Sequence, residues 1–304
     1  MSEEFHPDLK GILKDLYELY VYIDGKLVRG EDAKISMFDH GFLYGDGVFE
    51  GIRAYDGAIF KLDEHIDRLY DSAKAIGIDV PLTKEALKKA ILETVRKNNL
   101  QNCHIRPIIT RGAGRPNLDP RMSVRPSVIV MAYPFPPSLG EKPLRLMTSS
   151  LRRKSYSIDA KIKCLNYLDN ILARLQAVTA GFDDAIMLDI DSSVAEGTGE
   201  NVFFVKNERI CTPLTTAALQ GITRATVIEL SRKLGYEVCE RTVTIQEIWT
   251  ADEAFYAGTG VEIASIAQID GRNIGKNTPG SITKKIMSAY REYVRKEHRT
   301  PIWK

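Results

Sequence analysis

The first half of the chain alternates short strand-like runs with amphipathic helical repeats. A tight hairpin is predicted at residues 20–28, YVYIDGKLV, where an Asp-Gly pair separates two apolar runs. Apolar residues at helical spacing predict a helix over 62–78. Thr83 is placed to cap a second helix, whose apolar face continues to Val95. Two further strands are predicted by the runs HIRPIIT and SVIVMAY.

The second half repeats this mixture of helices and strands. A helix is predicted from about Leu165 to Ala180, because apolar residues recur at helical spacing and Gly181 follows. The apolar residues expected to face the core on this helix are Leu168, Ile171, Leu172 and Leu175. Strands are predicted at AIMLDI, NVFFVK and RICTP. Two more helices are predicted, one from Thr223 to Gly235 and one over about 282–296.

The domain organisation follows from length and from one proline-rich segment. A chain of 304 residues is at the upper edge of what one hydrophobic core supports, so two domains are expected. Four prolines and a glycine make PFPPSLGEKP the best linker candidate. We predict a smaller N-terminal α/β domain over 1–134, a linker over 135–143 and a larger C-terminal domain over 144–304. The mixture of elements in both halves indicates the α/β or α+β class.

Composition argues against several classes of partner. Lys and Arg number 42 against 40 Asp and Glu, so the net charge of +2 gives no electrostatic case for nucleic acid or an anionic membrane. No apolar run approaches the ~20 residues that a membrane span needs. The acidic N-terminus lacks the apolar region of a secretory signal. We therefore expect a cytoplasmic protein with small-molecule or protein partners.

The four cysteines show no paired spacing. They are Cys103, Cys164, Cys211 and Cys239, and no CxxC occurs. In an intracellular protein this pattern predicts reduced thiols, not a disulfide framework or a zinc site. His40 and His65 also have no evident ligand partners, so we expect them to be structural and expect no metal in the functional site.

Two glycine-containing turns are candidate phosphate sites. Gly221-Ile222-Thr223 precedes an apolar-periodic helix, where backbone N–H groups and a threonine hydroxyl would suit a phosphate. Gly258-Thr259-Gly260 follows the strand-like run EAFYA. Each signal is weak alone, and an ordinary N-capped helix explains the first one better. Neither turn matches GxxxxGK[ST] or GxGxxG, which disfavours nucleoside triphosphates and NAD.

Taken whole, residues 196–224 resemble the class IV aminotransferase signature. The matching positions are Glu196, Thr198, Asn201, Val202, Phe203, Ile210, Thr212, Leu219, Gly221, Ile222 and Arg224. So many matches at the required spacings make the signal highly specific. The segments FDHGFLYGDGVFEGIRAYDG, HIDRL and HIRP are similar to those of branched-chain amino acid aminotransferases, which are pyridoxal 5′-phosphate (PLP) enzymes. The resemblance covers most of the chain and implies the two-domain fold type IV architecture, D-amino-acid aminotransferase-like, with PLP bound by the C-terminal domain.

The resemblance chooses between two lysines in DAKIKCLNYLDN, which begins at residue 159. A PLP enzyme needs a lysine that holds the cofactor aldehyde as a Schiff base and later moves a proton. Local geometry alone does not choose, because residues two apart in an extended segment face the same side. In the family the lysine precedes an Asn-Tyr pair, and Lys163 stands three residues before Asn166, the commoner spacing. A spacing longer by one would fall on Ile162, so Lys161 fits neither and is expected to be solvated charge.

The resemblance implies further cofactor contacts. Glu196 matches the carboxylate that keeps the pyridine nitrogen protonated, and Tyr167 matches the tyrosine that binds the phenolic oxygen. Arg68 and the helix start at Ile222 match the phosphate cup, where arginine supplies bidentate charge and the helix supplies N–H donors. The full implied cofactor set is Arg68, Lys163, Tyr167, Glu196, Gly199, Glu200, Asn201, Leu219, Gly221, Ile222, Thr223 and Thr259.

The substrate side departs from the family pattern. The implied substrate residues are Tyr44, Phe49, Gly51, Arg53, His104, Arg106, Arg115, Thr259 and Gly260. His104 replaces a usual tyrosine and adds a titratable donor. Gly260 stands where an alanine is common, and Arg115 matches, in part and with an offset, an arginine-bearing loop of D-amino-acid aminotransferases. Tyr44 and Phe49 are alternatively core residues, because aromatic side chains mostly pack.

These features imply PLP-dependent transamination of leucine, isoleucine and valine with 2-oxoglutarate, giving branched 2-keto acids and L-glutamate. Arg115 and His104 keep open a D-amino-acid or broad-specificity amine transaminase of the same fold. An aminodeoxychorismate-type PLP lyase and a non-enzymatic α/β binding module are the remaining alternatives. Family members are at least homodimers, so the resemblance also implies a homodimer or higher homo-oligomer.

Overall fold

A computed structural model of the chain describes residues 9–134, 142–153 and 159–303. These residues form two compact units, one built from the described residues up to 134 together with 298–303, and one from those between 142 and 297. The predicted linker lies almost wholly outside the described residues. Within the described part of the chain, no helix is long and apolar enough to cross a membrane.

The first unit is built on an eight-stranded sheet. Its strands are β1 (Tyr20–Ile23), β2 (Lys26–Arg29), β3 (Gly47–Phe49), β4 (Ile52–Tyr55), β5 (Ala58–Phe60), β6 (Cys103–Thr110), β7 (Ser127–Tyr133) and β17 (Arg299–Pro301). Its helices are α1 (Leu9–Glu18), α2 (His40–Tyr44), α3 (Leu62–Ala75) and α4 (Lys84–Lys97). The strand order is β17-β5-β4-β6-β7-β1-β2, with β3 beside β6. Because β17 pairs with β5, residues 298–303 belong to this unit, whereas the sequence prediction placed them in the second domain.

Local sequence signals account for several of these elements. Asp24 and Gly25 have φ angles of 46° and 94°, the left-handed conformations that a two-residue hairpin turn demands. The Thr83 hydroxyl accepts the Ala86 N–H at 3.1 Å and caps α4. The apolar faces of α3 and α4 are buried through Leu62, Ile66, Leu69, Ala73, Leu87, Ala90, Ile91 and Val95. The predicted hairpin and both predicted helices are confirmed.

The second unit is built on a nine-stranded sheet. Its strands are β8 (Leu144–Arg152), β9 (Asp184–Leu188), β10 (Val194–Glu196), β11 (Asn201–Lys206), β12 (Arg209–Pro213), β13 (Val238–Arg241), β14 (Glu253–Gly258), β15 (Glu262–Ile269) and β16 (Arg272–Asn273). Its helices are α5 (Leu168–Thr179), α6 (Ile222–Lys233), α7 (Ile245–Trp249) and α8 (Ser281–Lys296). The order is β10-β9-β8-β15-β14-β11-β12-β13, with β16 beside β15. The core of this unit includes Val202, Phe204, Tyr256 and Ile266.

Helix α5 packs on the sheet with a different face from the one that the sequence predicts. Its buried residues are Asn170, Ala173 and Ala177, and the helix contacts β8 and β9. The four residues predicted to face the core are exposed, with fractional exposures of 65% for Leu168, 60% for Ile171, 42% for Leu172 and 57% for Leu175. That prediction is wrong, because the small alanine side chains bring the opposite face close to the sheet. Clustered exposed apolar side chains are typical of an interaction surface.

A disulfide joins Cys211 to Cys239. The two residues are direct register partners on the parallel strands β12 and β13, with Cα atoms 4.7 Å apart. The prediction of four reduced thiols is therefore wrong for this pair, whereas Cys103 and Cys164 are free and buried. The spacing of the cysteines in the sequence did not indicate this disulfide, because α6 separates the two strands along the chain. Among the described residues, no cluster of His, Cys, Asp and Glu is suited to a metal ion.

Candidate active site

The candidate catalytic lysine lies in a turn immediately before α5. Asp159 shapes this turn, because its side chain accepts the Lys161 N–H and its carbonyl oxygen accepts the Ile162 N–H, each at 2.9 Å. Lys161 is exposed, whereas Lys163 is partly buried and donates from Nζ to the Tyr167 hydroxyl at 3.1 Å. The two lysines are therefore not equivalent. The amine predicted to hold the cofactor lies beside the tyrosine predicted to bind its phenolic oxygen.

Glu196 ends β10 with a buried carboxyl group. Arg153 Nε donates to Oε1 at 2.7 Å, and the Leu219 N–H donates to Oε2 at 3.0 Å. Burial raises the pKa of Glu196, and the positive charges of Arg153 and Lys163, with the Leu219 N–H, only partly oppose this. A carboxylate with raised proton affinity suits a partner such as a pyridine nitrogen, which also binds a proton.

Arg153 is a functional candidate that sequence reasoning missed. Its Nη1 donates to Asn170 Oδ1 at 3.1 Å, so this arginine links Glu196 to α5. Its chain neighbour Arg152 is exposed, and a run of basic residues at a strand end is ordinarily solvated charge. No sequence signal distinguishes the two arginines. The fold does so, because Arg153 pairs with the Glu196 carboxylate whereas Arg152 is exposed.

Helix α6 starts in a way that suits a phosphate group. Its N-cap is Gly221, which has no side chain that could accept from the first N–H groups of the helix. Backbone N–H groups and the helix dipole therefore favour an anion next to Ile222 and Thr223. Asn201 Nδ2 donates to the Leu219 carbonyl oxygen at 3.0 Å and ties the first residue of β11 to this segment. The Thr223 side chain is buried.

Gly221→Ala is expected to weaken PLP binding by roughly tenfold or more. A Cβ atom at this position would lie 2.1 Å from Asn201 Oδ1, so Asn201 must move and release Leu219. Equilibrium titration with PLP measures the effect. Gly235→Ala, at the other end of α6, is the matched control, because its φ of 85° predicts lower stability without a change in PLP affinity. Wild-type affinity in the Gly221 variant would contradict the assignment of this segment.

Two neighbouring turns complete the second-unit site. Thr259 and Gly260 occupy the turn between β14 and β15. A Cβ atom on Gly258 would lie 3.4 Å from Glu200 Cγ and 3.6 Å from the Gly199 carbonyl oxygen, so the two turns are in contact. The predicted cofactor residues that are joined by contacts to one another in this unit are Lys163, Tyr167, Glu196, Gly199, Glu200, Asn201, Leu219 and Gly221. Ile222 and Thr223 follow Gly221 at the start of α6, and Thr259 follows Gly258 in the turn after β14.

In the first unit, Arg68 on α3 binds Glu50. Its Nε and Nη2 donate to the two carboxylate oxygens at 2.6 and 2.8 Å, and His65 Nδ1 lies 2.8 Å from Oε2. Burial opposes ionisation of Glu50, but Arg68 and His65 hold its pKa well below the usual range. His65 thus has a structural partner. The phosphate role of Arg68 stays a prediction, and Glu50 is the residue that orients its guanidinium.

Five predicted substrate residues cluster on β3, β4, β6 and the segment joining β3 to β4. The Arg106 guanidinium lies 4.6 Å from the ring centre of the buried Phe49. A Cβ atom on Gly51 would lie 3.1 Å from His104 Cε1, so a larger residue here would require the ring to shift by a small amount. Arg53 is the register partner of His104 across β4 and β6. The cluster is aromatic and basic, with Phe49, Arg53 and His104 buried.

Tyr44 and Arg115 are linked to each other through His40. Tyr44 ends α2 and is 39% exposed, and its ring contacts the His40 ring edge-on at 5.3 Å between centroids. His40 Nε2 lies 3.1 Å from the Arg115 carbonyl oxygen, while the Arg115 residue is exposed. The core alternative for Tyr44 is therefore wrong, whereas Phe49 is buried as that alternative expects.

The chain matches the family model of amino-transferase class IV over residues 47–269. A Methanocaldococcus jannaschii protein, whose name assigns branched-chain-amino-acid aminotransferase activity only provisionally, is 50% identical over 274 residues, 90% of this chain and 95% of the relative. The branched-chain aminotransferase from Thermoproteus uzoniensis with norvaline has a TM-score of 0.89 and 39% identity, covering 94% of this chain and 99% of that chain. The PLP form of the Thermobaculum terrenum enzyme has a TM-score of 0.87 and 32% identity, covering 95% and 100%. The predicted fold and family are confirmed: the chain belongs to the class IV aminotransferases, among the branched-chain-amino-acid aminotransferases.

Proposed function

We propose that the protein transfers the amino group of branched-chain L-amino acids to 2-oxoglutarate and uses PLP as its cofactor. The observation that carries this proposal is the contact of Lys163 Nζ with Tyr167, close enough to Glu196 for its charge to affect that carboxylate. A non-enzymatic binding module has no need of a partly buried amine beside a buried carboxylate. The aminotransferase relatives support the same chemistry.

The residues of the second unit fit PLP. Lys163 would hold its aldehyde, Tyr167 its phenolic oxygen and Glu196 its pyridine nitrogen, while the start of α6 at Gly221 would hold its phosphate. A Cβ atom at Gly221 would fill this cradle by meeting Asn201, which accounts for the glycine. When bound, PLP supplies an electron sink for a substrate that loses its Cα proton.

In the reaction, the residues of the protein move one proton and stabilise one charge. The freed Lys163 amine is the group that takes the Cα proton and returns it, and the Tyr167 hydroxyl at 3.1 Å keeps that amine oriented. Glu196 would supply the negative charge that the ring nitrogen of bound PLP requires, and Arg153 fixes the orientation of its carboxylate through Oε1.

The first-unit cluster is the proposed source of substrate specificity. Arg106 Nε is buried and has no hydrogen-bond partner among the described residues, although its guanidinium lies over Phe49. A guanidinium with a buried N–H in this state favours a carboxylate ligand, because an unpaired buried donor is costly. We assign Arg106 to the side-chain carboxylate of 2-oxoglutarate, and Phe49 to the apolar side chain of the amino donor.

A donor panel tests the proposed function. Purified protein with PLP and 2-oxoglutarate is given the L- and D-forms of leucine and alanine, together with L-isoleucine and L-valine, and glutamate is measured. We expect L-leucine, L-isoleucine and L-valine to give the highest kcat/KM values. A preference for the D-enantiomers would favour the D-amino-acid alternative instead, and would overturn the substrate assignment while leaving the transaminase intact.

We also propose that the protein is a homodimer or a higher homo-oligomer, with the exposed apolar face of α5 at the contact between copies. This face follows the Lys163 turn directly, so self-association there would brace the site. Ile171→Glu is expected to weaken association by roughly tenfold or more, because it buries an unpaired charge. Light scattering over a dilution series measures it, with Leu234→Glu, at another exposed leucine, as the control. If Ile171→Glu has the same mass as wild type at every dilution, this contact is contradicted.

A further inference from the structure

Two acidic residues meet in the interior of the second unit, behind Glu196. Asp184 begins β9 and is fully buried, and Glu200 immediately precedes β11. Glu200 is partly exposed as a residue, but its carboxyl group is in hydrogen-bond contact with Asp184. We call these two residues the carboxyl pair. Asp184 has no role in the reaction as described above, and Glu200 is named there only as an implied cofactor contact.

The two oxygens of Asp184 have very different surroundings. Oδ1 accepts the Thr198 hydroxyl at 2.6 Å, the Ala185 N–H at 2.7 Å and an Arg174 N–H at 2.9 Å. Oδ2 is buried and accepts from no N–H or hydroxyl group in the described part of the chain. A buried acceptor in this position requires a donor, and the adjacent Glu200 carboxyl supplies one only when it carries a proton.

The other neighbours of Glu200 do not provide the missing donor. Gly199 N–H donates to Glu200 Oε2 at 2.9 Å. The Tyr256 hydroxyl donates instead to the Ala185 carbonyl oxygen at 3.0 Å, and burial beside the carboxyl pair raises the tyrosine's pKa well above its usual value. Arg174 is committed to Asp184. The cation that pairs with Asp184 in the described part of the chain is thus bound at Oδ1, and the Glu200 carboxyl remains as the donor to Oδ2 when it is protonated.

We propose that Asp184 and Glu200 share one proton and that this carboxyl pair positions Glu196 for its role toward the cofactor. Both residues of the pair hold the turn between β10 and β11, Asp184 through its carboxylate and Glu200 through its backbone. Asp184 holds the Thr198 hydroxyl, and the Glu200 carbonyl oxygen accepts the Gly197 N–H at 2.7 Å. Gly197 directly follows Glu196, so the backbone that carries the catalytic carboxylate depends on this turn.

A second connection runs through side chains. The Thr198 carbonyl oxygen accepts Asn170 Nδ2 at 2.8 Å, and Asn170 Oδ1 accepts Arg153 at 3.1 Å. Arg153 in turn pairs with the Glu196 carboxylate at 2.7 Å. Loss of the shared proton would therefore disturb both the backbone and the cation that hold Glu196. This role rests on the proposed function, whereas the shared proton itself does not.

The carboxyl pair makes the stability of the folded protein depend on pH, in a definite direction. Burial and the negative charge of Asp184 raise the pKa of Glu200 to about 8. Between its ordinary value and this raised value the folded protein holds a proton that the unfolded chain releases, so stability falls as pH rises through this window. Tyr256, whose pKa is raised well above its usual value, stays protonated over the same range. Glu196 also faces this region and is held by Arg153.

Three variants test the proposal on the full chain. Glu200→Gln places an amide donor opposite Asp184, so we expect it to bind PLP more tightly than Glu200→Ala does. Its thermal midpoint is expected to lose the decrease between pH 6 and 9 that comes from the titration of Glu200. Glu200→Ala removes the donor, and we expect roughly tenfold or weaker PLP binding at pH 7. Glu208→Gln, at an exposed acid, is expected to behave as wild type.

Infrared difference spectroscopy separates the proton from the function. Wild type minus Glu200→Gln at pH 7 is expected to show the C=O stretch of a protonated carboxyl group, which disappears by pH 9.5. Absence of that band, or the same pH dependence of the thermal midpoint in Glu200→Gln and wild type, would overturn the shared proton. If the band is present but Glu200→Ala binds PLP normally and keeps wild-type kcat, the positioning role is wrong. Failure of the donor panel alone would leave the band unchanged.

Discussion

Lys163→Ala is expected to abolish transamination, while Lys161→Ala keeps nearly all of it. Loss of a positioned proton-transfer group alone costs roughly 10²–10⁴-fold in rate, and the lysine also holds the cofactor. The structure separates the two side chains, because Lys163 Nζ contacts Tyr167 and lies near Glu196, whereas Lys161 is exposed. The neighbouring lysine is thus a matched control that differs in position by only two residues.

The measurement is steady-state glutamate formation together with the absorbance of the lysine-bound cofactor. Lys163→Ala is expected to lose both signals while it keeps the wild-type circular dichroism spectrum. Lys161→Ala is expected to keep glutamate formation, the cofactor absorbance and the circular dichroism spectrum. Equal losses in both variants would show that the turn as a whole, not one amine, is required. Normal turnover in Lys163→Ala would remove the basis of the assignment.

Glu196→Gln is expected to lower kcat by roughly 10²–10³-fold, the range seen when one preorganised electrostatic group is removed. The amide can still accept the Leu219 N–H, but it supplies no negative charge opposite the ring nitrogen. It also leaves Arg153 without its anionic partner in a largely buried position. We therefore expect a large change in kcat and a smaller change in KM.

Single-turnover kinetics with L-leucine measure this effect, because they isolate the chemical step from product release. Glu237→Gln is the control, since this glutamate forms an exposed ion pair with Arg209 and is worth little to the fold. PLP absorbance confirms that the Glu196 variant still carries its cofactor. A wild-type single-turnover rate in that variant would contradict the role of Glu196 as the partner of the pyridine nitrogen.

The sequence predicts those features that depend on local spacing. The Asp24-Gly25 hairpin follows from two residues with positive φ, and α4 follows from its Thr83 cap and a repeat of apolar residues. The choice of Lys163 over Lys161 also comes from local counting, once the family signature near Glu196 has been identified. In each case the information lies within a short stretch of chain, so periodicity and spacing are enough.

The remaining features depend on which segments the fold brings together. The apolar residues of α5 satisfy a helical repeat whether they face their own sheet or another surface, so the sequence does not say that Ile171 and Leu172 are exposed. The disulfide needs the register of β12 and β13, which hydrophobic patterns do not specify. Arg153 and the carboxyl pair are likewise defined by contacts between distant strands and α5. Isolated charged residues in a sequence are ordinarily surface residues.

The most direct test of transamination is the first half-reaction without an acceptor. The PLP-loaded protein is mixed with excess L-leucine, and the amount of 4-methyl-2-oxopentanoate formed per subunit is measured. We expect about one equivalent of this keto acid per subunit, and turnover that resumes only when 2-oxoglutarate is added, because the amino group stays on the enzyme until an acceptor removes it. Continued product release without an acceptor, or no keto acid at all, would contradict the account.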